Sequence, residues 1–320
     1  MRFQLCRKHL IMTAKEFFQS FPDEAACMAH LRKEREQSGL SCRKCSSKRL
    51  SWLSTIHRWE CMACKAKTTI RSGTIMMHSK LPIHTWYHCV FIMAATTKAV
   101  SAKDMQQRLG MKRYEPVWYM MQKIRNAMGQ VNAEIQLSGV LEFDDSYFTA
   151  HKKEKDPHGY LFNRGRGSER KQPVLVAVET IERTKPKSRK DINQNTRAGM
   201  LRMQHLPDLQ GKTYSKLAKR LLSKNAIVLT DANPSYNTIA AHVAEHKPKK
   251  SEPKNAAKAL PWVHMAISNA KRLFLGVYHH LSDLWLQSYL DEFCYKFNHR
   301  FNRDTIVNQL LKTVALNRLH

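Results

Sequence analysis

The spacing of apolar and polar residues divides the chain into a helical first part and a later part of mixed strands and helices. Thr13 stands three residues before Glu16 at the head of a short apolar run through Phe18, the spacing of a helix capping box. Phe21-Pro22-Asp23 breaks that helix, and a second is expected from about Asp23 to Arg35, ending towards Gly39, with Ala26, Cys27, Ala29 and Leu31 inward. Trp52-Leu53 and His57-Arg58-Trp59 suit strands running out and back. After a turn at Arg71-Ser72-Gly73, Leu81-Pro82 opens a helix over Ile83 to Thr97, where Trp86, Val90, Phe91, Ala94 and Ala95 follow helical spacing. His84 and His88 lie four apart on it and read as a polar helix face. Ser101 can cap a short helix through Leu109, Gly110 ends it, and a longer helix follows from about Tyr114 to Met128. Two helices around Gly110 with a basic turn, Lys112-Arg113, resemble a helix-turn-helix, whose second helix would read the major groove.

From Ser138 the period changes. LSGVLEFDDSYF reads as a strand whose alternation puts Glu142 and Asp144 on one face and Phe143 and Asp145 on the other. A basic loop, His151 to Lys171, leads into the apolar strand Pro173–Val178, and the polar stretch from Glu179 to Arg197 suits an exposed hairpin. Met200 to His205 is a third strand, Tyr214 to Leu222 a helix, and Ala226 to Asp231 a buried strand that ends on an acid. Three strands, a helix and a strand ending in Asp follow the order of a ribonuclease-H-like fold. Beyond them, Val263, Ile267, Ala270 and Phe274 make the apolar face of a helix, and Leu284, Leu290, Phe293 and Phe297 that of another expected to cover the sheet. Phe297-Asn298-His299-Arg300 is aromatic and basic, a combination that suits DNA. The expected class is α/β: a ribonuclease-H-like catalytic domain, with a mixed sheet flanked by helices, over residues 136–305. It follows N-terminal helices and a zinc ribbon (1–78) and a helix-turn-helix-like domain (79–132), with 306–320 as a tail.

Charge sharpens this picture. The chain carries 54 Lys and Arg against 26 Asp and Glu, a formal net charge of +28, with 42% hydrophobic residues. That is enough for a packed core, so the excess charge must sit on a folded surface, where it attracts polyanions. No run of about 18 apolar residues is present to span a bilayer, and the N-terminus lacks a signal-peptide pattern. A cytoplasmic, nucleoid-associated protein with double-stranded DNA as partner and no membrane is the expectation.

Four of the eight cysteines form two C-x2-C pairs, Cys42/Cys45 and Cys61/Cys64, with fifteen residues between the pairs. Each pair puts two sulfurs on one tight knuckle, and two such knuckles close around one Zn²⁺. Four thiolates leave no open coordination position, so this zinc is structural. Lys44, Lys48, Arg49, Arg58, Lys65 and Lys67 surround it and can lie on phosphates. Cys27 reads as core.

The acidic strand ends carry the chemistry. Asp144 and Asp231 meet if their strands are neighbours, although 87 positions separate them. Paired carboxylates suit hard ions, Mg²⁺ or Mn²⁺, which activate a water or a 3′-hydroxyl in phosphodiester attack.

These motifs together, FPDEAAC, CRKC and CMAC, IRSGTIMMHSKLPIHTW, LEFDDSYF, VLTDANPSY, LPWVHMAISNAKR, GVYHH and YLDEFCYKFNHR, resemble one family over about residues 13–305. It is that of bacterial insertion-sequence transposases with an N-terminal zinc ribbon ahead of a DDE-type integrase domain. The resemblance implies a DNA transposase that binds the ends of its element and cleaves and transfers strands, as a homo-oligomer on DNA. It makes Asp144 and Asp231 the first two metal ligands. Many relatives place a Glu on the helix after the second Asp, but LPWVHMAISNAKRLFLG has no acidic residue. Counting on from Val263-His264 gives Asn269 as the third ligand, and counting back from Gly276 gives His264. The two lie about 140° apart around a helix, so they cannot both face the metals. Asn269 is the expected ligand, because a carboxamide oxygen can replace a Glu oxygen, with His264 as the alternative. Lys271 or Arg272 can contact the DNA backbone. The departure at the third ligand keeps a second reading open: a non-catalytic DNA-binding regulator, or a domesticated or inactive transposase.

Overall fold

The computed structural model describes residues 13–150, 171–183, 195–249, 259–278 and 281–316. The chain packs as two compact units, one of residues 1–128 with 299–320 and one of residues 129–298.

The first unit opens with helix α1 (Ala14–Ser20), where Thr13 and Glu16 complete the capping box. Helix α2 (Glu24–Gln37) follows, capped by the Asp23 carboxylate on the Ala26 N–H at 2.8 Å. Strands β1 (Leu50–Leu53), β2 (Arg58–Cys61) and β3 (Lys67–Thr69) make a three-stranded antiparallel ribbon, one strand more than the hairpin expected. Arg35 ties α2 to this ribbon: its guanidinium stacks 5.0 Å from the Trp59 ring centre and donates to the Ile70 carbonyl at 2.6 Å. Helix α3 (Ile83–Ala95) begins at a Leu-Pro step that offers no side chain to cap it. Glu24 supplies the acceptors instead, its two oxygens taking the N–H groups of Ile83 (2.9 Å) and His84 (2.8 Å). His88 packs against Phe17 and Phe18, so the expected polar face of α3 is partly an aromatic contact. Helix α4 (Ala102–Arg108), capped by Ser101, is followed by Gly110 at φ +62°, where glycine carries no Cβ penalty. Helix α5 (Glu115–Ala133) then runs on, its last residues belonging to the second unit.

The second unit is built on a five-stranded mixed sheet: β4 (Val140–Thr149), β5 (Lys171–Glu182), β6 (Thr196–His205), β7 (Ile227–Asp231) and β8 (Glu245–Lys249). The order is β6-β5-β4-β7-β8, antiparallel through β6, β5 and β4 and parallel from β4 to β7 to β8. Helix α6 (Gly211–Leu221) and a 3-10 helix (Pro234–His242) cover one face, where Leu141 and Phe143 pack with Tyr214, Leu217, Tyr236 and Ile239. Helices α7 (Pro261–Val277) and α8 (Asp283–Asn298) cover the other, where Phe148, Val174, Val176 and Val178 meet Val263, Ile267, Phe274 and Leu290. The odd residues of β4 thus face α6 and the even ones face α7, as the strand alternation requires.

Two expectations are corrected here. Residues 306–316, expected as a tail, belong to helix α9 (Arg303–Leu316), which packs on α2 and α3 in the first unit. Ile306, Val307, Leu310, Leu311, Val314 and Ala315 are all buried, an apolar stripe at helical spacing that a solvated tail would not carry. Asn298, expected near DNA, is buried and spans β6, accepting from the Leu201 N–H at 2.7 Å and donating to its carbonyl at 3.0 Å. The basic loop of 151–170 and the polar stretch of 184–194 lie outside the described residues.

Candidate active site and cysteine centre

The parallel register of β4 and β7 sets the centre of the second unit. Val140 pairs with Ile227 and Glu142 with Leu229. Two residues further along each strand stand Asp144 and Asp231, level with one another on the α7 face of the sheet. Asp144 is largely buried, and its carboxyl is pushed up to about 7 by that burial, with Asp145 and Asp231 adding repulsion; the Asp145 N–H and the Lys271 ammonium oppose the rise. A carboxylate so crowded by negative charge is a place where a cation is stabilising.

Helix α7 lies over this pair, and its rotation decides which side chain reaches them. His264 Nε2 stands 3.9 Å from Asp144 Oδ2. Burial lowers the His264 pKa against the pull of Asp231, so the imidazole is neutral at physiological pH and its ring nitrogen carries a lone pair. Lys271, seven residues on and therefore close to the same face, donates to Ser146 Oγ at 2.7 Å. Asn269 faces elsewhere: its amide meets Met265 Sδ at 2.9 Å and the Arg272 guanidinium at 2.6 Å, partners along its own side of the helix. The expectation that Asn269 faces the carboxylates is therefore corrected. The helix phase brings His264 to Asp144 and turns Asn269 about 140° away.

Asp145, on the opposite face of β4, was not expected to matter. Tyr214 donates to its Oδ1 at 2.9 Å, and Tyr236 donates to the same oxygen. Both phenols are buried among aromatic neighbours and held above the usual tyrosine range, by burial first and by Asp145 next. These two donors fix the middle of β4, from which Asp144 projects on the other face. Strand alternation put Asp145 on that face; the tyrosines, from two other elements, left no local signal. On α8, Asp291 accepts from Gln287 at 3.0 Å, and Glu292 pairs with Lys296 at 2.8 Å.

In the first unit the two cysteine knuckles have the same backbone. Ser46 N–H bonds to Cys42 O (2.8 Å) and Cys42 N–H to Ser47 O (2.8 Å); Lys65 N–H bonds to Cys61 O (2.9 Å) and Cys61 N–H to Ala66 O (2.9 Å). Ser46 and Lys65, each just after its second cysteine, both sit at positive φ, 58° and 60°. The four Sγ atoms all lie within 4.8 Å of one another. Among the described residues these four form a group of candidate metal ligands. The Cys61 thiol is pulled down to about 6, chiefly by the Cys64 N–H, and Cys42 falls as well through its knuckle N–H groups. Against the Ser47 N–H, Cys45 moves the other way, up to about 12, through its sulfur neighbours Cys64 and Cys61. Four sulfurs converging in this way fit a tetrahedral soft-ligand cation such as Zn²⁺. Cys27 is fully buried on α2 and its thiol is pushed up to about 12 by that burial, so it is core.

Lys112 and Arg113 are exposed in the turn between α4 and α5, whose carbonyls at Met111 and Lys112 are held by the Gln106 amide (3.0 and 3.1 Å).

A mixed sheet of this order, layered by helices on both faces and carrying level aspartates on adjacent parallel strands, defines a ribonuclease-H-like domain of the DDE class. The ISXO2-like transposase domain matches residues 136–298, and the chain belongs to that family of transposases. Solved structures with similarity include a pre-cleavage Mos1 transpososome, at 13% identity over 73% of this chain and 78% of that one, TM-score 0.25. The Mos1 strand transfer complex matches at 13% identity over 73% and 77%, TM-score 0.26. The mariner Mos1 paired-end complex with Mg matches at 12% identity over 70% and 77%, TM-score 0.26. No curated protein matches. No helix among the described residues is long and apolar enough to cross a membrane.

Proposed function

We propose that this transposase binds the ends of its own element and cleaves and transfers DNA strands at a metal site formed by Asp144, Asp231 and His264. The observation that carries this reading is the β4–β7 register, which sets the two aspartates level, with His264 beside Asp144. The donor set, two carboxylates and a neutral imidazole around a crowded buried charge, fits divalent cations. Bound there, a pair of Mg²⁺ or Mn²⁺ ions would supply a Lewis-acid clamp on the attacking and departing oxygens of a phosphodiester. The protein's own part is positional. Tyr214 and Tyr236 hold Asp145 and with it the middle of β4, while Lys271 places an ammonium where a strand's phosphate would lie.

The four cysteines hold Zn²⁺ and stiffen a basic ribbon, and Lys112 and Arg113 meet the phosphates or groove of the element end, with Arg272 a further backbone contact. Transfer of two ends in one reaction calls for more than one copy on the DNA.

A strand-transfer assay with DNA from the ends of the element and Mg²⁺ or Mn²⁺ tests the reading. Asp144→Ala and Asp231→Ala are expected to abolish cleavage and joining while end binding persists. Activity that survives either substitution would sink the site.

A further inference from the structure

Glu142 is the acid two residues before Asp144 on the same face of β4. It is 2% exposed, and in a chain short of a third carboxylate it is the obvious replacement. Its oxygens are already engaged. Oε2 accepts from the N–H groups of Trp262 (2.7 Å) and Val263 (2.8 Å), the first turn of α7, and Oε1 lies 3.5 Å from Thr180 Oγ1 on β5. The helix has no cap of its own: Leu260 at the N-cap position makes no side-chain bond, and Pro261 follows it. Two buried amide donors there would otherwise be left unsatisfied at the positive end of the helix.

From this geometry we infer that Glu142 is a positioning residue that sets the rotation and axial register of α7 on the sheet, and thereby holds His264 at Asp144. His264 is the next residue after Val263, so the clamped turn and the turn carrying the imidazole are the same. Glu142 and Asp144 share one strand face, so a single β-strand fixes both sides of the His264–Asp144 contact. Sliding α7 by one residue would rotate His264 by about 100° and leave the carboxylate without its amide partners. The inference rests on the reading of His264 as the third ligand.

Reach, not charge, is what the clamp requires, and three variants of the full-length protein separate the two. Glu142→Gln keeps the length and an acceptor oxygen, and its amide N–H can turn to Thr180 Oγ1. Glu142→Asp keeps the charge and loses a methylene of reach. Glu142→Ala loses both. Hydrogen exchange of the Trp262 and Val263 amides and Mn²⁺ affinity by calorimetry are the readouts. Glu142→Gln is expected to keep both amides protected and to bind Mn²⁺ within about threefold of wild type. Glu142→Asp and Glu142→Ala are expected to lose that protection and to bind Mn²⁺ at least tenfold more weakly. If Glu142→Ala does not fold, the Gln–Asp comparison decides alone. Tight binding in Glu142→Asp with weak binding in Glu142→Gln would overturn the inference, since that is the pattern of a charged metal ligand. His264→Ala keeps the failures apart. Unchanged Mn²⁺ affinity in that variant defeats the ligand reading, and protected amides in Glu142→Asp defeat the clamp.

Discussion

Asp144 carries a charge that the metal-free site does not easily accommodate. Its folded carboxyl keeps a proton up to about 7, whereas the unfolded chain releases it near about 4. Between those values the folded state binds the extra proton, so metal-free stability falls as pH rises towards 7. Asp144→Asn removes that titration. Without added Mg²⁺ or Mn²⁺, its stability relative to wild type is expected to grow from pH 5 to pH 8, by on the order of 2 kcal/mol, in calorimetric unfolding. A variant that tracks wild type across this range would contradict a carboxyl raised by burial. Mn²⁺ affinity should fall as pH drops below about 7, roughly tenfold per unit where one proton must leave. On the other face of β4, Tyr236→Phe strips a donor from the half-buried Asp145 and is expected to cost about 1–3 kcal/mol, read as a lower melting temperature. Asp231 was legible because it ends an apolar strand, and Asp144 because strand alternation singles it out, although β4 runs on past it to Thr149. The choice between His264 and Asn269 was not. It depends on the phase of α7, which the Glu142 carboxylate fixes from 120 and 121 positions away through backbone amides that no local pattern reveals.

At the scale of elements, the two knuckles repeat one backbone motif, and a metal held between them would replace a core the ribbon is too small to build. Elemental analysis is expected to find about one Zn²⁺ per chain. Cys61→Ser or strong chelation should remove it and melt the ribbon, with loss of the near-ultraviolet signal of Trp52 and Trp59, whose rings stand 4.8 Å apart. A ribbon unchanged after metal loss would count against the assignment. Helices α3 and α7 share a device: both begin at a Leu-Pro step without a local cap, and in both a distant glutamate, Glu24 or Glu142, takes two first-turn amides. Local caps such as Thr13, Asp23 and Ser101 lie next to the helices they serve, and Thr13 could be read directly with its partner Glu16. Caps delivered from another element could not. Helix α9 was legible in principle, because its apolar stripe from Ile306 to Ala315 keeps helical spacing. Leu310→Ala in that stripe is expected to lower stability by about 3 kcal/mol, since Leu310 is fully buried against its neighbours.

The whole molecule is a strongly basic chain whose net charge of +28 attracts polyanions such as DNA, while the proposed site is small, with Asp144 and His264 half-buried and Asp231 exposed. Charge patterning announced the partner from composition alone, but it could not say which cations matter. The exposed Lys112-Arg113 turn is the more selective expectation: replacing both with Ala should weaken binding of element ends and reduce the slope of log affinity against log salt by about 2. The proposed chemistry turns on which side chain joins the two aspartates. The most direct measurement is Mn²⁺-dependent cleavage of element-end DNA by His264→Ala and Asn269→Ala compared with the wild-type protein. The structure predicts that His264→Ala loses cleavage by a hundredfold or more, as expected for a ligand to catalytic metal (~10–100-fold even for groups behind it), while Asn269→Ala stays within about threefold. Full activity in His264→Ala, or loss in Asn269→Ala alone, would contradict it.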